Sequence, residues 1–183
     1  MLILASASAR RRELLARLDL RFRVQPADVD ETPRFGESPE ALALRLARAK
    51  AGAIGADEPV LAADTVVAMD DEALGKPRDA REAESMLTRL SGREHRVVTA
   101  LALRHAGVLD HATVVTRLWF RTLAARESQG YAARPEVLDA AGAYAIQHGA
   151  APFLTRLVGS YSNVVGLPLA ETAALLRLAG LKP

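Results

Sequence analysis

Leu2-Ile3-Leu4-Ala5-Ser6-Ala7-Ser8-Ala9-Arg10-Arg11-Arg12-Glu13-Leu14-Leu15 opens the chain. A short apolar run passes into small hydroxyl residues, then into three consecutive arginines, then into leucines at helical spacing. That is the pattern of a buried strand, a tight turn and the first turn of a helix. Unpaired backbone N–H groups and the positive end of the macrodipole make a helix N-terminus a place for anions. Arginines in that first turn oppose the dipole, and a polyphosphate to neutralise would account for them. Taken alone, the stretch reads equally as a phosphate-binding loop and as an ordinary connection with solvated arginines.

Outward from this stretch, 183 residues with 50% hydrophobic and 25% charged side chains fit one domain over 1–183 with a proper core. A net charge of +2 is too small to mark a nucleic-acid protein, and 4% aromatics leave few surfaces for stacking bases. The chain has no cysteine, which excludes disulfides, thiolate zinc sites and cysteine nucleophiles. Ala5-Ser6-Ala7 imitates a signal-peptide cleavage site, but no positive charge precedes it and the apolar run before it is too short. No apolar stretch is long enough to span a bilayer. The expectation is a cytoplasmic protein with neither membrane nor nucleic acid as partner.

Periodicity gives a helix over 10–18, a strand at Phe22 and Val24, and a loop over 26–36 carrying Asp28, Asp30 and Glu31. Ser38-Pro39 opens a second helix, with Leu42, Leu46, Ala49 and Ala53 as its expected stripe. Residues 60–69 form a strand with Asp70-Asp71-Glu72 as its turn. Asp79 and Glu82 make a capping-box pattern for a helix to Leu90. Two β-rich runs, 97–103 and 108–120, flank a hairpin-like connection at 104–107. Residues 125–133 read as helix, 143–146 as a short strand, 161–168 as turn-rich, and 169–178 as a closing helix. Trp119-Phe120 reads as core. Without strict βαβ alternation, these elements predict an α/β fold with a mixed central sheet and flanking helices.

Several catalytic templates fail. There is no phosphate-loop or dinucleotide fingerprint, no zinc spacing among the four histidines, and no nucleophile elbow around Ser6 or Ser8. What remains is Asp64, set in the apolar run Leu61-Ala62-Ala63-Asp64-Thr65-Val66-Val67. A buried carboxylate needs cations, a metal or hydrogen bonds, which makes Asp64 a candidate for general-base or metal work. Gly75-Lys76-Pro77 offers a point charge in a loop. Lys50 and Glu31 are weak signals alone; Glu31 reads as solvated unless a second carboxylate joins it around a cation. Gln147 carries a donor and an acceptor suited to a nucleobase edge.

Together these segments resemble the Maf family of nucleoside triphosphate pyrophosphatases. The likeness rests on residues 4–11, 63–67, 75–77, 91–92 with 97–100, 142–147 and 159–169, in the family's order. It implies a fold similar to the inosine triphosphatase group, with two lobes around a cleft. The implied activity splits a nucleoside triphosphate between the α and β phosphates with a divalent cation, Mg²⁺ or Mn²⁺. Ile146-Gln147 resembles the dTTP/UTP branch, with modified pyrimidine triphosphates as further candidates. A 7-methyl-GTP-type enzyme and a non-catalytic septum-formation regulator are the alternatives, and a homodimer is the assembly that relatives suggest. By resemblance, Asp64 is the catalytic carboxylate, and Arg10, Thr65 and Gln147 set substrate choice. Ser6, Arg11, Lys50 and Lys76 bind substrate, and Glu31 joins Asp64 at the metal. The chain departs from the family at Ala9, where proline is usual, and at His148, where glycine is usual.

Overall fold

The computed structural model describes residues 1–183. Its frame is one sheet ordered β2-β1-β3-β5-β6-β7. The strands are β1 (Leu2–Leu4), β2 (Phe22–Val24), β3 (Val60–Met69), β4 (Glu72–Leu74), β5 (Glu94–His105), β6 (Val108–Phe120) and β7 (Leu154–Val158). β1 runs parallel to β2 and to β3, whereas along β3, β5, β6 and β7 each strand is antiparallel to the next, so the sheet is mixed as expected. The β5–β6 hairpin closes through Ala106-Gly107, both at positive φ (46° and 77°), which suits the right-handed twist of its strands.

The helices are α1 (Ala9–Ala16), α2 (Pro39–Ala53), α3 (Ala80–Leu90), α4 (Ala125–Ala132), α5 (Tyr161–Val165) and α6 (Leu169–Leu178). Alternation along β3 divides the core. Val60, Ala62 and Val66 pack with Leu42, Leu46 and Ala47 of α2, while Leu61 and Ala63 pack with Leu14, Leu15 and α6 on the opposite face. The second lobe surrounds Val67, α3 and an aromatic group of Phe120, Tyr131, Tyr144 and Phe153. The cleft lies between these lobes.

Five local expectations need correction. The stripe of α2 runs through Leu42, Ala43, Leu46, Ala47, Lys50 and Ala51, leaving Ala49 and Ala53 exposed. Glu72 begins β4 rather than completing a turn. Residues 143–146 form no strand: Gly142 and Ala143 take positive φ (68° and 62°), and the chain then coils through Ile146–Ala150. Tyr161–Val165 is a short helix capped by the Ser160 hydroxyl. Trp119 and Phe120 point to opposite faces, as consecutive strand residues must. Phe120 is buried, while Trp119 lies half-exposed between Arg117 and Arg156, each 5.0 Å from its ring centre.

Candidate active site

The cleft exists because β1 and β4 lie along the same edge of β3 without meeting. β1 pairs with β3 at Val60 and Leu61, and β4 takes up pairing again at Val67. Between them Asp64 and Thr65 face a gap, while the other edge of β3 is paired with β5 from Val60 to Ala68. A cavity of about 450 Å³ opens there, within the range of small-molecule sites.

On one face, the strand–turn–helix stretch delivers Arg11. Ser8 caps α1 by accepting from the Arg11 backbone N–H at 3.4 Å, and the buried Ser6 hydroxyl accepts from the Ser8 N–H at 3.2 Å. The Arg11 guanidinium donates from Nε to the Gly166 carbonyl (2.9 Å), from Nη1 to Ser6 Oγ (3.4 Å) and from Nη2 to Thr65 Oγ1 (3.0 Å). Of its five N–H donors, one on each terminal nitrogen stays uncommitted. Burial presses the Arg11 pKa down, and the charge of Asp64 opposes that. Gly166 is required at its position: φ is +117°, and a Cβ would come 3.3 Å from Thr65 Oγ1.

Thr65 is itself oriented. Thr99 Oγ1 donates to the Asn163 carbonyl (3.1 Å), so in the 3.0 Å contact between the two threonines Thr65 is the donor. Its oxygen then accepts from Arg11. Asn163, the chain's only asparagine, is fully buried and donates to the Val97 carbonyl and to Thr116 Oγ1.

On the opposite face, α2 carries Lys50 into the sheet. Its ammonium lies 2.6 Å from Asp64 Oδ1 and 2.6 Å from Glu31 Oε1. Glu31 therefore does join a second carboxylate around a cation, and that cation is Lys50. Burial raises the Asp64 pKa, and the charges of Lys50 and Arg11 oppose the rise. No group of three or more acids and histidines gathers anywhere in the chain. Mg²⁺ takes one or two carboxylates and completes its shell with phosphate oxygens and water; Glu31 and Asp64 are two carboxylates of that kind, with Lys50 standing between them.

The third wall is 139–147. Gly142 donates its N–H to the Gly75 carbonyl (3.0 Å) and sits against Val67, where a Cβ would come within 2.9 Å. This pins the segment beside the loop that carries Lys76 and leaves Gln147 exposed at the cavity wall. Lys76 Nζ lies 2.6 Å from Asp139 Oδ1, and Arg10 Nη2 donates to the Asp139 carbonyl at 3.0 Å. His148 keeps an ordinary φ of −113° and Gly149 takes the positive one (87°), so a side chain at 148 strains nothing.

Ser6, Arg10, Arg11, Glu31, Lys50, Asp64, Thr65, Lys76 and Gln147 thus all line one cavity. Sequence reasoning missed Asp139, and it singled out the stretches holding Thr99 and Asn163 without giving either residue a role.

An α/β protein with four cations and a sunken acid in one cleft is built to handle a polyanion. Residues 1–179 match the family described as Maf-like protein, and the chain belongs to it. Among curated relatives, "dTTP/UTP pyrophosphatase" of Myxococcus xanthus is 57% identical over 99% of this chain and 93% of that protein. The protein of the same name from Anaeromyxobacter dehalogenans is 52% identical over 98% and 94%. That of Methylococcus capsulatus is 48% identical over 98% and 91%. Among solved structures, a HAM1 protein from Coxiella burnetii overlays with a TM-score of 0.47 at 20% identity, covering 65% of this chain and 72% of that one.

Proposed function

We propose that this chain hydrolyses dTTP and UTP to the nucleoside monophosphate and pyrophosphate. The Lys50–Asp64–Glu31 cluster facing the Arg11 guanidinium across one cavity carries the reading, and the names of its relatives support the substrates. Arg10, Arg11, Lys50 and Lys76 neutralise the triphosphate, with the two spare N–H groups of Arg11 giving orientation. Asp64 accepts a proton from the water that attacks the α phosphorus, and its raised pKa makes it a better base than an exposed carboxylate. The β-phosphate oxygen leaves with the pyrophosphate, whose growing charge the cleft cations meet. A divalent cation held by Glu31 and Asp64 would polarise the phosphate and lower the pKa of water. Gln147 reads the base edge.

The test is a panel of nucleoside triphosphates, including dTTP, UTP, dCTP, GTP and 7-methyl-GTP, with Mg²⁺ or Mn²⁺ and detection of pyrophosphate. Preference for dTTP and UTP is expected. Preference for 7-methyl-GTP, or no turnover of any member, contradicts the proposal. No helix of the chain is long and apolar enough to cross a membrane.

A further inference from the structure

At the cleft mouth one residue holds two cations by different atoms. The Asp139 carboxylate takes Lys76 Nζ at 2.6 Å, and its backbone carbonyl takes Arg10 Nη2 at 3.0 Å. The three residues come from separate parts of the chain: Arg10 from α1, Lys76 from the loop after β4, and Asp139 from the end of the 3-10 turn Pro135–Asp139. All three line the cavity.

The rest of the site is tied down differently. Arg11 is fixed by neutral oxygens of Ser6, Thr65 and Gly166, and Lys50 is sunk between two acids. Lys76 and Asp139 are the exposed pair of the cleft, with side chains 60% and 70% accessible. An ion pair that open to water is weakly held and exchanges readily. The Asp139 carboxylate and carbonyl engage, at the cavity wall, two of the cations that a phosphate chain would need.

We propose that Asp139 is an internal rival of phosphate. It yields Lys76 and Arg10 to an entering triphosphate, then retakes them and helps expel pyrophosphate. The proposal rests on the reading of this cleft as a triphosphate site. It makes Asp139 a positioning residue that weakens product binding and speeds release. The segment it ends leads within eight residues to Gln147, so the exchange links the phosphate end of the cleft to the wall that faces the base.

The test compares the whole chain with Asp139→Asn and Asp139→Glu, titrating pyrophosphate by calorimetry and measuring dTTP turnover with Mg²⁺. Asp139→Asn keeps the backbone carbonyl and the side-chain shape but loses the charge. It is expected to bind pyrophosphate ~2–5-fold more tightly, the scale of one exposed pair, and to show lower KM and stronger product inhibition. Asp139→Glu is expected to match the unaltered chain within about twofold. A merely structural role would weaken binding, not tighten it. Unchanged or weaker pyrophosphate binding by Asp139→Asn overturns this proposal alone. An unaltered chain that neither binds pyrophosphate nor turns over dTTP overturns the triphosphate reading as well.

Discussion

Lys50 donates a 2.6 Å hydrogen bond to Asp64 between helix α2 and the sheet, and both side chains are only 10% exposed. The helix would ordinarily show an apolar residue on this face. Lysine stands there because the neighbouring strand carries a carboxylate that burial would otherwise neutralise. Removing Lys50 leaves Asp64 buried beside Glu31 with no ammonium between them. Lys50→Met is expected to cost about 3 kcal/mol of stability, the scale of a broken buried ion pair, measured by urea denaturation. Burial already raises the Asp64 pKa, so the acid limb of kcat/KM is expected above the ordinary carboxylate range. It should move to still higher pH in Lys50→Met.

Asp64→Asn keeps the shape and removes the base. Turnover of dTTP should fall by ~10²–10⁴ with little change in KM. Near-normal turnover in a folded Asp64→Asn protein would remove Asp64 from the proton transfer.

Gln147 is exposed on the cavity wall with no hydrogen-bond partner in the protein. Gln147→Glu replaces its amide donors with a charge. We expect kcat/KM for dTTP and UTP to fall by roughly tenfold or more, from a lost donor and an added repulsion. An unchanged profile across the nucleotide panel would show that the base is read elsewhere.

Ala9 is the first residue of α1, and it is exposed. That is the position where proline costs no hydrogen bond and its fixed φ is already helical. Ala9→Pro should therefore stabilise the chain by ~0.4–1 kcal/mol through the unfolded state, seen as a higher Tm with dTTP turnover retained.

His95 is buried against Phe120 and Tyr144, with its Nε2 2.8 Å from the Tyr144 hydroxyl. Burial lowers its pKa from 6.5 to about 4, against the weaker pull of Glu94. Between those values the unfolded chain holds the proton and the folded chain does not. Stability from His95 is therefore full above pH 6.5 and declines as pH falls toward 4, by about 3 kcal/mol in all. In His95→Gln, which keeps a hydrogen bond and cannot titrate in this range, stability should fall less steeply over that window. Equal slopes for the two proteins would contradict the buried neutral imidazole.

Long, internally consistent segments were legible in the sequence. β3 is a continuous apolar run because it is buried on both faces, and the acid within it marks the gap between β1 and β4. Leu169–Leu178 and the Ala106-Gly107 turn follow from periodicity and turn chemistry. The stripe of α2 was legible only at Leu42 and Leu46, because alanines occupy both faces and the decisive buried residue is a lysine. β4 and β7 are short edge strands of three and five residues, whose pairing comes from the sheet rather than from their own composition. Residues 139–150 resist reading for another reason. Their path depends on positive φ at Gly142, Ala143 and Gly149, and on contacts with Val67 and Gly75 far away in the chain. The cleft residues themselves were found through family resemblance added to chemistry, since Glu31, Lys50 and Gln147 signal little alone.

The most direct test follows the oxygen of water through one turnover. Hydrolysis of dTTP in ¹⁸O-labelled water with Mg²⁺, read by mass spectrometry, should place the label in the phosphate of dTMP and leave the pyrophosphate unlabelled. Label in the pyrophosphate, or release of dTDP and inorganic phosphate, would contradict attack at the α phosphorus beside Asp64.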